Sequence, residues 1–231
     1  MKVPSPKSKN EWKPLGLLMS KVQDLYTTVR DTLGGMGIGM DIIPWLAGDG
    51  KKSLVEKLKA LGTEFKNTQR IRLTGNKNLI WVNLDAPLKL PFDGAEPKPD
   101  QNAPSGWVKV ELKKGSLYVD GKKIVAHLDE GQKDGKVMQG HKLAEALTGK
   151  SVEHPNILDA LLELPHLVPD ELKKDGLGRT IYLYFWAVKF RDRDGGLYVR
   201  YGCWDGGAYR SDFRWLDGHW GGQGPAAVRA S

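Results

Sequence analysis

Cysteine is almost missing from this chain: of 231 residues only Cys203 is one, which excludes a disulfide framework and fits a reducing compartment. Long apolar runs are missing too. The longest, at 15–19 and 182–188, fall far below the roughly 18 residues that cross a bilayer, so no membrane span is expected. No apolar segment follows the early lysines, so no secretory signal is read, and a cytoplasmic protein is the expectation. Enzymatic signatures are equally scarce. The five histidines show no H-E-x-x-H spacing and no neighbouring cysteine pair, and no serine sits in a G-x-S-x-G elbow. Neither a metal, a cofactor nor a catalytic residue is therefore expected, and nothing in the pattern asks for an enzyme.

What is present is a globular composition, 40% hydrophobic and 27% charged, with 35 Lys and Arg against 28 Asp and Glu for a net charge of +7. The excess sits at the ends. Residues 1–69 carry 11 basic and 7 acidic groups, 70–178 carry 16 of each, and 179–231 carry 8 and 5. Anionic partners are favoured, without a polybasic extreme.

Periodicity divides the chain into three parts, 1–69, 70–130 and 131–231. Past a loose tail over the first dozen residues, Leu18, Val22, Leu25, Val29 and Leu33 form a helical stripe that Gly34 and Gly35 stop. Ser53 and Glu56 make a capping box for a second helix with Leu54, Leu58 and Leu61, and Gly62 stands at its exit. From residue 70 the period becomes that of strands, at 70–73, 79–84, 107–112, 117–119 and 123–128, with Asp120-Gly121 as a tight hairpin turn. Residues 91–106 hold four prolines and are read as a loop and not a strand. Helices are expected at 142–147 and 156–164, the latter opened by Pro155, and a short turn at 169–171. The fold class is α+β: N-terminal helices, an antiparallel sheet, a helical segment and an aromatic-rich three-stranded antiparallel meander.

For that meander a three-residue loop at 205–207 pairs Leu197 with Trp215, Val199 with Phe213 and Cys203 with Tyr209, while a loop at 192–195 pairs Phe190 with Leu197 and Trp186 with Tyr201. Trp186, Val199 and Phe213 then share one buried face. The opposite face gathers five cations and one carboxylate among aromatics. From it Lys189, Arg191, Tyr198, Arg200, Trp204, Arg210 and Arg214 are taken as a candidate contact for single-stranded nucleic acid, since stacking and phosphate neutralisation are the two interactions such binding uses.

Other motifs read blandly. Residues 144–151, A-E-A-L-T-G-K-S, fit a relaxed phosphate-loop pattern, yet what precedes is helical and 152–155 cannot start the helix the motif needs, so a helix end with a glycine stop is expected. The glycines at 34, 35, 37 and 39 lack dinucleotide spacing. Asp192 and Asp194 belong to a turn, because a calcium loop would place Cys203 where a bidentate carboxylate is required. His154 and His166 are read as surface or helix-edge groups, and Cys203 as an inert core thiol.

Gly140-His141-Lys142-Leu143, Asn156, Leu158, Asp159, Leu161, Leu162, the Pro165-His166-Leu167 run with Pro169, the aromatic strand at Phe185-Trp186, the Trp204-Asp205-Gly206-Gly207 turn, Trp215-Leu216-Asp217, Trp220 and Pro225-Ala226-Ala227 form a pattern. Through it residues 141–231, about 40% of the chain, resemble the C-terminal part of a group of uncharacterised bacterial and phage-type hypothetical proteins. That resemblance implies no activity, ligand or site residue. The functional expectation is a non-enzymatic accessory or binding protein that contacts single-stranded nucleic acid. Protein-interaction and phage or bacterial structural modules, and a carbohydrate-binding one, are the alternatives, and the sequence leaves oligomeric state open.

Overall fold

The computed structural model divides into two units, residues 1–62 and 63–231, and describes residues 69–230 continuously together with isolated positions between 20 and 59. In the first unit, positions 20, 23, 24, 27, 28 and 30–32 are helical, as are 52, 53, 55–57 and 59. The N-terminal tail, the apolar stripe positions of both expected helices and the glycines at 34, 35, 37, 39 and 62 lie outside the described residues.

The second unit is a large mixed sheet with few helices, an α+β arrangement. Its strands are β1 (Ile71–Leu73), β2 (Leu79–Asn83), β3 (Glu96–Pro99), β4 (Trp107–Lys113), β5 (Ser116–Val119), β6 (Lys122–His127), β7 (Met138–Gln139), β8 (Tyr182–Tyr184), β9 (Val188–Arg191), β10 (Leu197–Trp204), β11 (Tyr209–Trp215), β12 (His219–Trp220) and β13 (Ala226–Arg229). Its helices are α1 (Gly140–Ala146) and α2 (Pro155–Glu163). Eleven strands run in the order β1-β2-β4-β5-β6-β13-β8-β10-β9-β3, with β11 on the free side of β10; β7 and β12 form a separate pair.

The N-terminal half is a meander set by its turns. Asp120 and Gly121 both adopt positive φ, 49° and 79°, as a type I′ hairpin needs, and this fixes the pairing of β5 with β6. The last strand then closes the architecture: β13 runs antiparallel to β6 and, through Ala226 beside Tyr184, parallel to β8, so the two halves become one sheet.

Helix α2 covers the inner face of the meander. Ile80, Val82, Val110, Leu117, Val119 and Ile124 are buried together with Ile157, Leu158, Ala160 and Leu161 of α2. Pro155 suits the first helical position, where its missing N–H costs nothing. Before it, His154 caps the helix by accepting the Asn156 N–H at Nδ1, 3.1 Å away. It stands at the helix edge, one of the two places expected, but is buried and not a surface group, because the cap ties it to the start of an internal helix. Asn156, also buried, directs Nδ2 at the carbonyls of Asn83, Leu84 and Ala86 at 2.9–3.1 Å, pinning α2 to the end of β2.

Two expectations are corrected. The proline-rich 91–106 stretch contains a strand, β3, whose Pro97 and Pro99 alternate with Glu96 and Lys98; it lies at the sheet edge, where prolines are tolerated. The C-terminal register is shifted by one residue at both hairpins: Tyr198 pairs with Trp215 and with Phe190, and Arg200 with Phe213. In both turns an aspartate lengthens the loop. Asp205 accepts the N–H groups of Gly207 and Ala208, and Asp192 those of Asp194 and Gly196, so each loop takes in one residue more than expected. Trp186 and Val199 are buried together, but Phe213 lies half-buried on the other face against Phe92 and Tyr198.

Candidate nucleic-acid interface

The shifted register divides the seven residues expected to form one face. Tyr198, Arg200 and Trp204 project on the side of Phe213, towards α2, whereas Lys189, Arg191, Arg210 and Arg214 project on the side of Val199 and Tyr201. Each is also engaged internally. Lys189 pairs with Asp100, Arg191 with Glu96 at 2.6 Å, and Arg210 with Asp205 across its own turn. Arg214 donates to the His219 carbonyl at 2.7 Å and lies over the Trp220 ring. Tyr198 donates to Asp192, and Trp204 is covered by the Lys173 ammonium 4.6 Å from its ring centre.

Arg200 departs furthest from the expectation. It is 5% exposed and donates to Asp159 Oδ1 at 2.8 Å, to the Lys89 carbonyl at 3.0 Å and to the Ser211 hydroxyl at 3.3 Å. Asp159 is fully buried on α2. Its second oxygen lies 3.5 Å from Arg70 Nε, an ion pair without hydrogen-bond geometry. This is an internal tie between sheet and helix that engages the Arg200 guanidinium from three sides. Cys203, half-buried, has a thiol whose pKa burial pushes up, with Asp205 and Asp212 adding to the effect, so its thiolate is disfavoured.

An aromatic and basic sheet face does exist, on other strands. Since Ile80, Val82, Val108, Val110, Leu117 and Val119 point at α2, the alternate residues of the same strands point away from it. Cross-strand pairing places Arg72, Trp81 and Lys109 in one row and Glu111, Tyr118 and Lys123 in the next. Trp81 is 38% exposed, and Trp107 and Tyr118 are half-buried. The Arg72 guanidinium lies 4.5 Å from the centre of the Trp107 ring and has no carboxylate partner among the described residues. Lys109 pairs with Glu111 at 3.0 Å and Lys123 with Glu171 at 3.1 Å. Including Lys113, four cations and one carboxylate project from these strands.

The signal for this face was in the sequence. Once Asp120-Gly121 fixes the hairpin, alternation through W-V-K-V-E-L-K assigns Val108 and Val110 inward and Trp107, Lys109, Glu111 and Lys113 outward. Among the described residues no helix is long and apolar enough to cross a membrane, and no group of three or more His, Cys, Asp or Glu is placed to hold a metal. Neither a family model, a curated protein nor a solved structure matches the chain.

Proposed function

We propose that this is a non-enzymatic binding protein that holds single-stranded nucleic acid on the outer face of the β1-β2-β4-β5-β6 meander. The observation that carries the reading is the row Arg72, Trp81, Lys109: an exposed indole flanked on one side by Arg72, which no described carboxylate neutralises, and on the other by Lys109, which shares its charge with Glu111. A single strand offers a base π-face to the indole and backbone phosphates to the cations, and the sheet keeps the three side chains at strand spacing. The single, half-buried cysteine goes with a cytoplasmic setting. Fluorescence anisotropy with a labelled oligonucleotide tests the proposal. Binding should weaken steeply with salt, Trp81→Ala should cost about 1 to 3 kcal/mol, and Arg72→Glu with Lys109→Glu should flatten the salt slope. Leu73, 68% exposed on the edge strand β1, favours a second reading, a docking surface for another protein. That reading takes over if the wild type retains no oligonucleotide at low salt.

A further inference from the structure

A cavity of about 480 Å³ opens elsewhere on the second unit, between the loop that follows α1, the turn joining β5 to β6, β13 and the segment after β3. Its size suits a small molecule. Four cations line it, Lys122, Lys150, Lys189 and Arg229, against two carboxylates, Asp100 and Asp120. Both carboxylates are already taken: Asp100 pairs with Lys189, and Asp120 with Arg229 at 3.4 Å while also accepting the Lys109 N–H. Lys122 and Lys150, both exposed, have no carboxylate partner among the described residues. Arg229 is held in place from behind. Glu153, wholly buried, accepts from its Nε at 2.7 Å, so this guanidinium is fixed at the wall before any ligand arrives. Burial pushes the Glu153 carboxyl up from its ordinary value while Arg229 opposes the shift, as expected for a buried acid kept for its partner.

The loop itself adds donors. Gly149, at φ 80°, turns the chain out of α1, and Val152 bridges Val228 on β13, so no helix follows and no phosphate loop is formed. Thr148 and Ser151 nonetheless line the same cavity as Lys150, and since the Thr148 hydroxyl already donates to the Ala144 carbonyl at 3.4 Å, Ser151 is the hydroxyl donor the loop adds. Two ammonium groups with no carboxylate partner among the described residues, a clamped guanidinium and a serine hydroxyl in one small-molecule-sized cavity suit a phosphate ester: a dianionic head for the cations, with the rest of the ligand in the remaining volume.

We propose that this cavity binds a phosphorylated small molecule through Lys122, Lys150 and Arg229. The site shares no residue with the proposed nucleic-acid face, so each can fail alone. Calorimetric titration of the full chain with inorganic pyrophosphate, against sodium chloride of equal ionic strength, is the test. Saturable binding is expected, weakened about tenfold by Lys122→Ala and again by Lys150→Ala, the loss of one charge-assisted hydrogen bond each. Trp81→Ala should leave it unchanged. Heat no greater than that of the chloride control overturns the proposal, as does undiminished binding in the folded Lys122→Ala, Lys150→Ala double variant. Displacement of pyrophosphate by an oligonucleotide whose own affinity falls in that double variant also overturns it, because the cavity would then belong to a nucleic-acid track.

Discussion

Arg200→Leu should destabilise the second unit severely, and the size of the loss follows from what it strands. Removing the guanidinium takes away the 2.8 Å hydrogen bond to Asp159 Oδ1 and leaves a fully buried carboxylate facing Arg70 alone, whose Nε is 3.5 Å from the other oxygen and out of line for a hydrogen bond. The Lys89 carbonyl and the Ser211 hydroxyl lose their donor as well. Breaking a buried pair from one side costs about 3 to 5 kcal/mol, a large part of a typical stability of roughly 5 to 15 kcal/mol. Asp159→Leu alone should cost a similar amount, since it buries an unpaired guanidinium. The double variant removes both charges and should be much less damaged than the two losses summed. Urea unfolding of wild type, both single variants and the double variant closes a double-mutant cycle, read from the midpoint at unchanged slope. A loss below about 1 kcal/mol for Arg200→Leu, or two losses that simply add, would refute the role of this pair as an internal tie and restore Arg200 as a residue free to meet a ligand.

Two further outcomes follow from buried positions. His154 caps α2 through an unprotonated Nδ1, and burial lowers its pKa from 6.5 to about 4. The unfolded chain therefore takes up a proton first as pH falls through 6.5, and stability is lost between there and about pH 4, by roughly 2 kcal/mol from pH 7 to pH 5. His154→Asn keeps a capping side chain without the titration, so its unfolding midpoint should fall less over that window; parallel pH profiles for the two proteins would count against the cap. Gly202 on β10 leaves room for the buried Tyr209: a Cβ there would overlap the Tyr209 hydroxyl and lie 2.7 Å from Leu158 Cδ1. Gly202→Ala should cost about 1 to 3 kcal/mol by overpacking between β11 and α2, and an unshifted melting temperature would refute that contact.

Local rules made much of the second unit legible. The β1, β2, β4, β5 and β6 strands and their D-G hairpin follow from alternation and from two adjacent residues that tolerate positive φ, and both helices follow from apolar spacing with Pro155 as a start signal. Where the reading failed, the deciding partner was not local. Residues 226–229, A-A-V-R, carry no strand pattern of their own, and β13 exists because β6 and β8 offer it edges on both sides. Edge strand β3 forms against β9 despite its prolines. The register slipped for a subtler reason: a side-chain carboxylate that captures backbone N–H groups adds a residue to a turn, and in a strand pair one residue exchanges the two faces.

The same distinction between near and distant partners governs how cations on strands are to be read. A strand of alternating arginines and aromatics looks alike whether its charges face phosphate or carboxylate, so the pattern alone does not specify a site. For Arg210 the neutralising group was visible, because Asp205 lies just across its own turn. For Arg191, Lys189 and Arg200 the acids are Glu96, Asp100 and Asp159, brought in from an edge strand, the segment after it and a helix, and only the fold reveals that those charges are spent. Arg72, Lys122 and Lys150 pass the opposite test: no carboxylate among the described residues lies against them, and each stands beside an aromatic ring or a cavity. A cation that remains unneutralised after folding, next to a surface shaped for something other than water, is stronger evidence for an anionic ligand than any count of positive charge along the chain.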